Sequence, residues 1–246
     1  MEQGKILSSR QLGPGQLTRE FILARFADRP SFGRRGSAGR LAEGVPGAKD
    51  GPGLRGDHSL TPGAVPPQSG LTPAAVLVPI VLQPERLTVL LTQRTAHLSD
   101  HAGQIAFPGG RIEPTDQDAT AGALREAEEE IGLPSSHVEI IGRLDTYITG
   151  TGFEITPVVG FVPVPYPARP DPFEVADMFE VPLDFIIDPR NLQRGTREWK
   201  GTTRTFFVLP YEQRYIWGAT AGMLVNLAEI LTRAPGDFGT RLSSDF

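Results

Sequence analysis

An α/β layered domain is the fold this sequence predicts, and three observations predict it. Two apolar, β-rich runs, residues 74–82 (AAVLVPIVL) and 87–94 (LTVLLTQR), flank the turn residues Gln83, Pro84 and Glu85. A polar loop then leads into a helix crowded with carboxylates, closed by Gly132 as a helix stop. Near the end, residues 215–233 read as a second long helix, with Ile216, Met223, Leu227, Ile230 and Leu231 at helical recurrence. That stripe is expected in the core.

The chain has 246 residues, which suits one domain plus an extension and leaves ample length for a buried core. A net charge of −5 argues against general affinity for nucleic acid. Cysteine is absent, which excludes disulfides and thiolate metal sites and fits a reducing compartment. No apolar run approaches the ~20 residues that span a membrane, and no signal-peptide pattern opens the sequence. A cytoplasmic enzyme is the simplest class expected. No internal repeat is visible.

Taken in order, residues 1–71 form an N-terminal extension rich in Gly, Pro, Ser and Arg. Within it, residues 17–27 (LTREFILARFA) predict one short helix with Phe21, Ile22, Ala24 and Phe26 partly buried. Residues 31–68 carry few apolar anchors and many breakers, so they read as loop or disorder. The basic leader is compatible with a transit peptide, but its acidic residues and coherent helix argue against one. The domain is expected over residues 72–246, starting with the two apolar strands as a hairpin. Further strands are expected at 104–107, 138–144, 155–164, 179–183 and 205–209, with the TGTG segment 149–152 as a break.

The chemistry is concentrated in residues 107–133. Glu126, Glu129 and Glu130 recur at spacings that place them on one helical face, while Glu128 points elsewhere. Each like pair at such spacing costs roughly 0.2–0.5 kcal/mol, and a hard divalent cation reverses that sign because it takes oxygen ligands. The bland alternative is a solvated acidic face. Gly109 and Gly110 precede the helix and allow backbone to approach a metal or phosphate closely. No P-loop lysine motif, Gly-x-Ser-x-Gly elbow or zinc-ligand spacing appears.

This order of parts resembles the signature of the Nudix hydrolases: Gly, five residues, Glu, seven residues, then Arg-Glu-x-x-Glu-Glu-x-Gly. Gly110 starts the match and residues 125–133 (REAEEEIGL) close it. Two departures stand in the middle. The acid is Asp116 rather than Glu, and residues 117–124 lengthen the second gap by one. Both departures are similar to the coenzyme A pyrophosphatase branch, whose box reads GGxxDPxD or GGxxEPxD. Residues 90–110 (LLTQRTAHLSDHAGQIAFPGG) resemble the segment preceding the box in that branch, matching at Arg94, Gly103, Gln104, Phe107 and Pro108. Residues 172–186 and 215–231 resemble it again.

The resemblance implies an α/β/α sandwich with a mixed sheet, and a Mg2+- or Mn2+-dependent enzyme that cleaves coenzyme A or acyl-CoA to 3′,5′-ADP and (acyl-)4′-phosphopantetheine. It implies Glu126 and Glu130 as metal ligands, with the Gly110 carbonyl as a third. Glu129 is then a ligand or the group that polarises the attacking water, and Arg125 orients a carboxylate such as Glu129. Glu174 is the candidate base outside the box, ahead of Glu154. For substrate the candidates are Arg94, Gln104, Phe107 and Gly109. Arg94 is open to two readings, a phosphate contact through its forked donors or an ordinary strand-end charge. Ser99 and Asp100 stand where the branch has basic residues, a departure that bears on the 3′-phosphate of coenzyme A. His97 and His101 are not expected to bind metal. Another nucleoside diphosphate derivative (a nucleotide sugar, dinucleotide or nucleoside triphosphate) and a non-catalytic binding module of the same fold are the competing readings.

Overall fold

The first long apolar run organises the molecule by burying both of its faces. In β2 (Thr72–Leu82), Val76, Val78 and Ile80 enter one core, while Ala75, Leu77 and Val81 enter another. A strand covered on both sides needs apolar residues at every position, which is why this run shows no alternation. The structure, a computed structural model, describes residues 16–27, 54–60, 69–96, 103–199 and 201–233.

The hairpin predicted with β3 (Leu87–Arg94) is present, with Ile80 opposite Val89 and Leu82 opposite Leu87. On its other side β2 runs parallel to β8 (Phe153–Pro163), from Thr72 opposite Phe153 to Leu82 opposite Pro163. Parallel neighbours require a crossover, and α2 (Ala119–Ile131) lies within it. The remaining strands are β1 (Leu54–Gly56), β4 (Ile105–Ala106), β5 (Gly109–Arg111), β6 (Glu139–Arg143), β7 (Thr146–Ile148) and β9 (Val175–Pro182). Together they form a mixed sheet in the order β1-β7-β8-β2-β3-β4, with β5 beside β2, β6 beside β8 and β9 beside β3. A separate antiparallel sheet joins β10 (Gln193–Trp199), β11 (Thr202–Tyr211) and β12 (Arg214–Trp217).

Helices cover both faces of the large sheet. Ala123, Ala127 and Ile131 of α2 fill the smaller core against Leu77, Val81, Val158 and Val162. The larger core takes α1 (Arg19–Ala27), α3 (Leu183–Ile187) and α4 (Gly218–Thr232). This is the α/β/α sandwich with a mixed sheet that was expected.

Four local expectations are corrected. Within the tract read as loop, Leu54–Gly56 pairs in parallel with Thr146–Ile148, and residues 57–60 form a 3-10 turn. Arg55 secures that strand, donating from Nε to Asp145 at 2.7 Å and from Nη2 to Glu229 at 2.5 Å; residues 31–53 and 61–68 of the same tract lie outside the described residues. In α1, Ala24 is exposed and the buried side chains are Ile22 and Phe26, joined by Leu17 just before the helix. The strand expected at 179–183 starts earlier, at Val175, and gives way to α3 at Leu183. The closing helix starts only at Gly218, because Arg214–Trp217 is strand β12 and Gly218 turns the chain at φ 62°. Ile216 is buried all the same, facing the core from a strand instead of a helix.

Candidate active site

The acidic helix is fixed at both ends by its own sequence. Asp118 Oδ1 caps it, accepting from Thr120 N at 2.8 Å and Ala121 N at 2.9 Å. Gly132 ends it in the left-handed region at φ 62°, with its N–H on Glu128 O and Leu133 N–H on Ala127 O. The last turns dock against β5. Gly109 N donates to Glu130 Oε2 at 3.0 Å, and a Cβ at Gly110 would lie 2.7 Å from the Glu126 carboxylate. A side chain at 110 would displace the Glu126 carboxylate from this position.

Arg125 is the hub of the loop before the helix. Its Nε and Nη2 donate to Asp116 at 3.1 Å each, and Nη2 also donates to Arg111 O at 3.0 Å. Its Nη1 donates to Glu126 Oε1 and to Glu129 Oε2, both at 3.0 Å. The guanidinium is thereby committed to protein partners on every nitrogen. Asp116 is its anchor and also accepts from Glu113 N at 2.8 Å. The forked bond from Arg125 holds the Asp116 carboxyl below the usual range. The longer loop and shorter acid thus work together: a turn closed on Asp116 delivers that carboxylate to Arg125.

Glu130 is the buried member of the face, its side chain 6 % exposed. Burial pushes its pKa up to about 7, against the Gly109 N–H and Arg94, with Glu126 and Glu174 adding like-charge repulsion. Glu126 is raised too, first by burial, with Arg125 opposing and Glu129 and Glu174 adding to the rise. Glu174 therefore acts on both acids although it lies far along the chain. Its turn is pinned to the end of α2: Arg169 N donates to Ile131 O at 2.7 Å and Asp171 N to Glu130 O at 2.9 Å. These bonds satisfy carbonyls that a helix C-terminus otherwise leaves unpaired. Glu174 N then bonds Asp171 O, and Thr95 N bonds Glu174 O at 2.9 Å. Glu129 is the open member, 60 % exposed at its side chain.

The structure sorts the other sequence candidates. Arg94 ends β3 with Nη1 3.5 Å from Glu130 Oε1, and its buried Nε has no hydrogen-bond partner. Gln104 receives the Arg94 N–H on its backbone carbonyl. Phe107 is only 2 % exposed and belongs to the larger core, so packing accounts for it. Glu154 lies on β8 opposite Pro73 and Ile148, and Glu128 is exposed. His97, Ser99, Asp100 and His101 lie outside the described residues. An open depression of about 620 Å³ is lined by Gln93, Asp177, Glu212, Gln213 and Arg214, without the acids of this face.

Sequence reasoning missed the anchoring role of Asp116 and the part played by Asp171 and Phe173. The Pro170-Asp171-Pro172 run was the available signal for a turn. Asp171 Oδ1 accepts from Phe173 N at 2.9 Å, leaving the Phe173 residue 73 % exposed beside Glu174.

The donor set fits a divalent cation. Among the described residues it offers carboxylate oxygens and backbone at glycine, with no sulfur and no imidazole, which is the chemistry of a hard cation. Among the described residues these acids do not form a ready-made cluster of three ligands, since Arg125 draws Glu126 and Glu129 to itself.

A family model for the NUDIX domain matches residues 71–198. The chain belongs to the Nudix family. As a Nudix hydrolase it is an enzyme of the pyrophosphatase class, and Nudix hydrolases as a class use divalent cations. Its relatives include the uncharacterized Nudix hydrolase NudL of Escherichia coli K12, 45% identical over 160 residues covering 63% of this chain and 80% of that protein. NudL of Yersinia pestis (strain Pestoides F) is 42% identical over 156 residues, covering 63% of this chain and 78% of the relative. Among solved structures, the MutT protein of Methanosarcina mazei Go1 matches with a TM-score of 0.40 and 20% identity, over 49% of this chain and 83% of that one. Among the described residues of this Nudix chain no helix is long and apolar enough to cross a membrane.

Proposed function

We propose that this Nudix hydrolase cleaves the diphosphate of coenzyme A or acyl-CoA, with Mg2+ or Mn2+ held on the α2 face. The observation that carries the reading is the Asp116-Arg125 lock. It gives the departures that resemble the coenzyme A branch a physical purpose, the setting of Glu126 and Glu129. A bound divalent ion supplies charge neutralisation for the diphosphate and a water of lowered pKa.

The protein's own groups carry the rest. Glu126, Glu130 and the Gly110 carbonyl would hold the ion, and Gly109 fixes the Glu130 carboxylate through its N–H. Glu129 or Glu174 accepts the proton from the attacking water. Glu129 is the more open of the face acids, and the backbone of Glu174 is held by Asp171 and Thr95. Arg94, 3.5 Å from Glu130 and partly exposed, is the candidate cation for the diphosphate oxygens. The exposed Phe173 ring beside Glu174 offers an apolar surface to the pantetheine arm.

The test is phosphate-product analysis with coenzyme A, nucleotide sugars, dinucleotides and nucleoside triphosphates, with magnesium and manganese supplied separately. Release of 3′,5′-ADP from coenzyme A at the highest kcat/KM upholds the proposal. A preference for compounds lacking both the 3′-phosphate and pantetheine would transfer the same chemistry to another diphosphate.

A further inference from the structure

The small sheet carries an unusual pairing of charge. Arg197 and Arg204 stand directly opposite each other in the β10–β11 ladder. Like charges so placed weaken a sheet. Elsewhere Arg55, Arg125, Arg143 and Arg214 each face a carboxylate, whereas among the described residues neither Arg197 nor Arg204 has one within ion-pair distance. Arg204 is also half-buried. Two adjacent guanidiniums without a carboxylate make a forked donor surface for one phosphate group.

Apolar rings lie on the same face. Strand alternation puts Phe206 beside Arg204, and Trp217 sits opposite Val208 on that side. The Phe206 and Trp217 rings are 5.2 Å apart, and both residues are half-buried. Aromatic surfaces next to guanidiniums suit a nucleobase that carries a phosphate.

A chain of contacts leads from this patch towards the acidic face. A Cβ at Gly150 would collide with Arg204 Nη1, so the turn at 149–152 lies against that guanidinium. The turn leads into Phe153, whose ring centroid lies 5.8 Å from the Arg111 guanidinium, and Arg111 directly follows Gly110. Along β2, Gly110 is opposite Ala75 and Phe153 opposite Thr72, a separation of roughly 10 Å along the strand.

We propose that Arg197 and Arg204, with Phe206 and Trp217 beside them, bind a phosphate monoester on the nucleoside end of the substrate, separate from the diphosphate that is cleaved. For coenzyme A this group is the 3′-phosphate. The assignment of the group rests on the coenzyme A reading, while the site itself rests on the ladder register and the absent carboxylates. It supplies positive charge that Ser99 and Asp100 do not.

The test is calorimetric titration of the full chain with adenosine 3′,5′-bisphosphate and with adenosine 5′-monophosphate, in EDTA so that no metal contributes. The bisphosphate is expected to bind at least about tenfold tighter. The double variant Arg197→Gln/Arg204→Gln is expected to lose that preference, with circular dichroism as the folding control. Arg197→Gln alone, at an exposed position, is expected to reduce the preference at least about threefold. Equal affinities in the wild type, or a preference kept by Arg197→Gln, would overturn the site. Failure of the wild type to cleave coenzyme A while the bisphosphate preference holds would overturn the substrate reading alone; cleavage with equal affinities would overturn the site alone.

Discussion

Two arginine-centred clusters in this molecule treat their carboxylates in opposite ways. Around Arg55, charge is balanced. Asp145 and Glu229 receive its guanidinium, Asn226 Nδ2 donates to Asp145 at 3.2 Å, and Arg233 reaches Glu229 at 3.5 Å. Around Arg125, acids are in excess. Asp116, Glu126 and Glu129 share one guanidinium, with Glu130 and Glu174 close behind and Arg94 at 3.5 Å. The first cluster ties strand β1 to helix α4 and asks for nothing more. The second leaves Glu126 and Glu130 with pKa values raised from the ordinary glutamate value, burial first among the causes, and a bound cation would relieve that cost. On the proposed function, similar residues serve folding in one place and chemistry in the other, and local charge balance separates them.

The largest effect expected is on turnover. Glu126→Gln should lower diphosphate cleavage by more than about 100-fold, since even groups that only orient a metal ligand are typically worth 10–100-fold. Its melting temperature should change little, because a raised carboxylate is exchanged for a neutral amide of similar shape. Arg55→Ala should do the reverse. Loss of a partly buried pair costs about 1–3 kcal/mol after allowance for its solvent exposure, a fall of roughly 2–12 °C for a chain of this size, with kcat within about twofold of wild type. Equal loss of turnover in the two variants would break the comparison.

Arg125→Lys sharpens it. One ammonium cannot hold Asp116 in a fork and reach Glu126 and Glu129 as well, so kcat should fall about tenfold, with circular dichroism showing an intact fold. Asp116→Asn tests the anchor through pH. The Asp116 pKa is lowered in the folded chain by Arg125, so its stabilisation is fully present above the ordinary Asp range near ~4 and is lost as pH falls through the lower folded value. Melting curves from pH 6 down to 2 should therefore be flatter for the variant across that acid window; parallel curves would remove Asp116 from the account. The smallest effect belongs to Glu128→Gln, an exposed acid outside the site, with stability within about 0.5 kcal/mol and unchanged kcat/KM in the same assay.

The comparison also shows what sequence can and cannot carry. Helix α2 was legible to its last residue because its information is local: spacing puts the acids on one face, and Gly132 ends it. The β2–β3 pair was legible because each run is long and the turn between them is marked. Strand β1 was not, since Leu54-Arg55-Gly56 is short and exists only through pairing with Thr146–Ile148 and the bonds of Arg55. The start of α4 was misread because Ile216 satisfies a helical and a strand pattern equally, and Gly218 decides between them through its backbone. In the site, the Glu face could be read from one helix, whereas the influence of Glu174 on it depends on the 169–175 turn docking to the end of α2.

The most direct measurement is a manganese titration of the full chain followed by electron paramagnetic resonance, comparing wild type, Glu126→Gln and Arg55→Ala. The account predicts that Glu126→Gln weakens binding at least about tenfold while Arg55→Ala binds as wild type does. Manganese affinity unchanged by Glu126→Gln would contradict the assignment of the acidic face as the metal site.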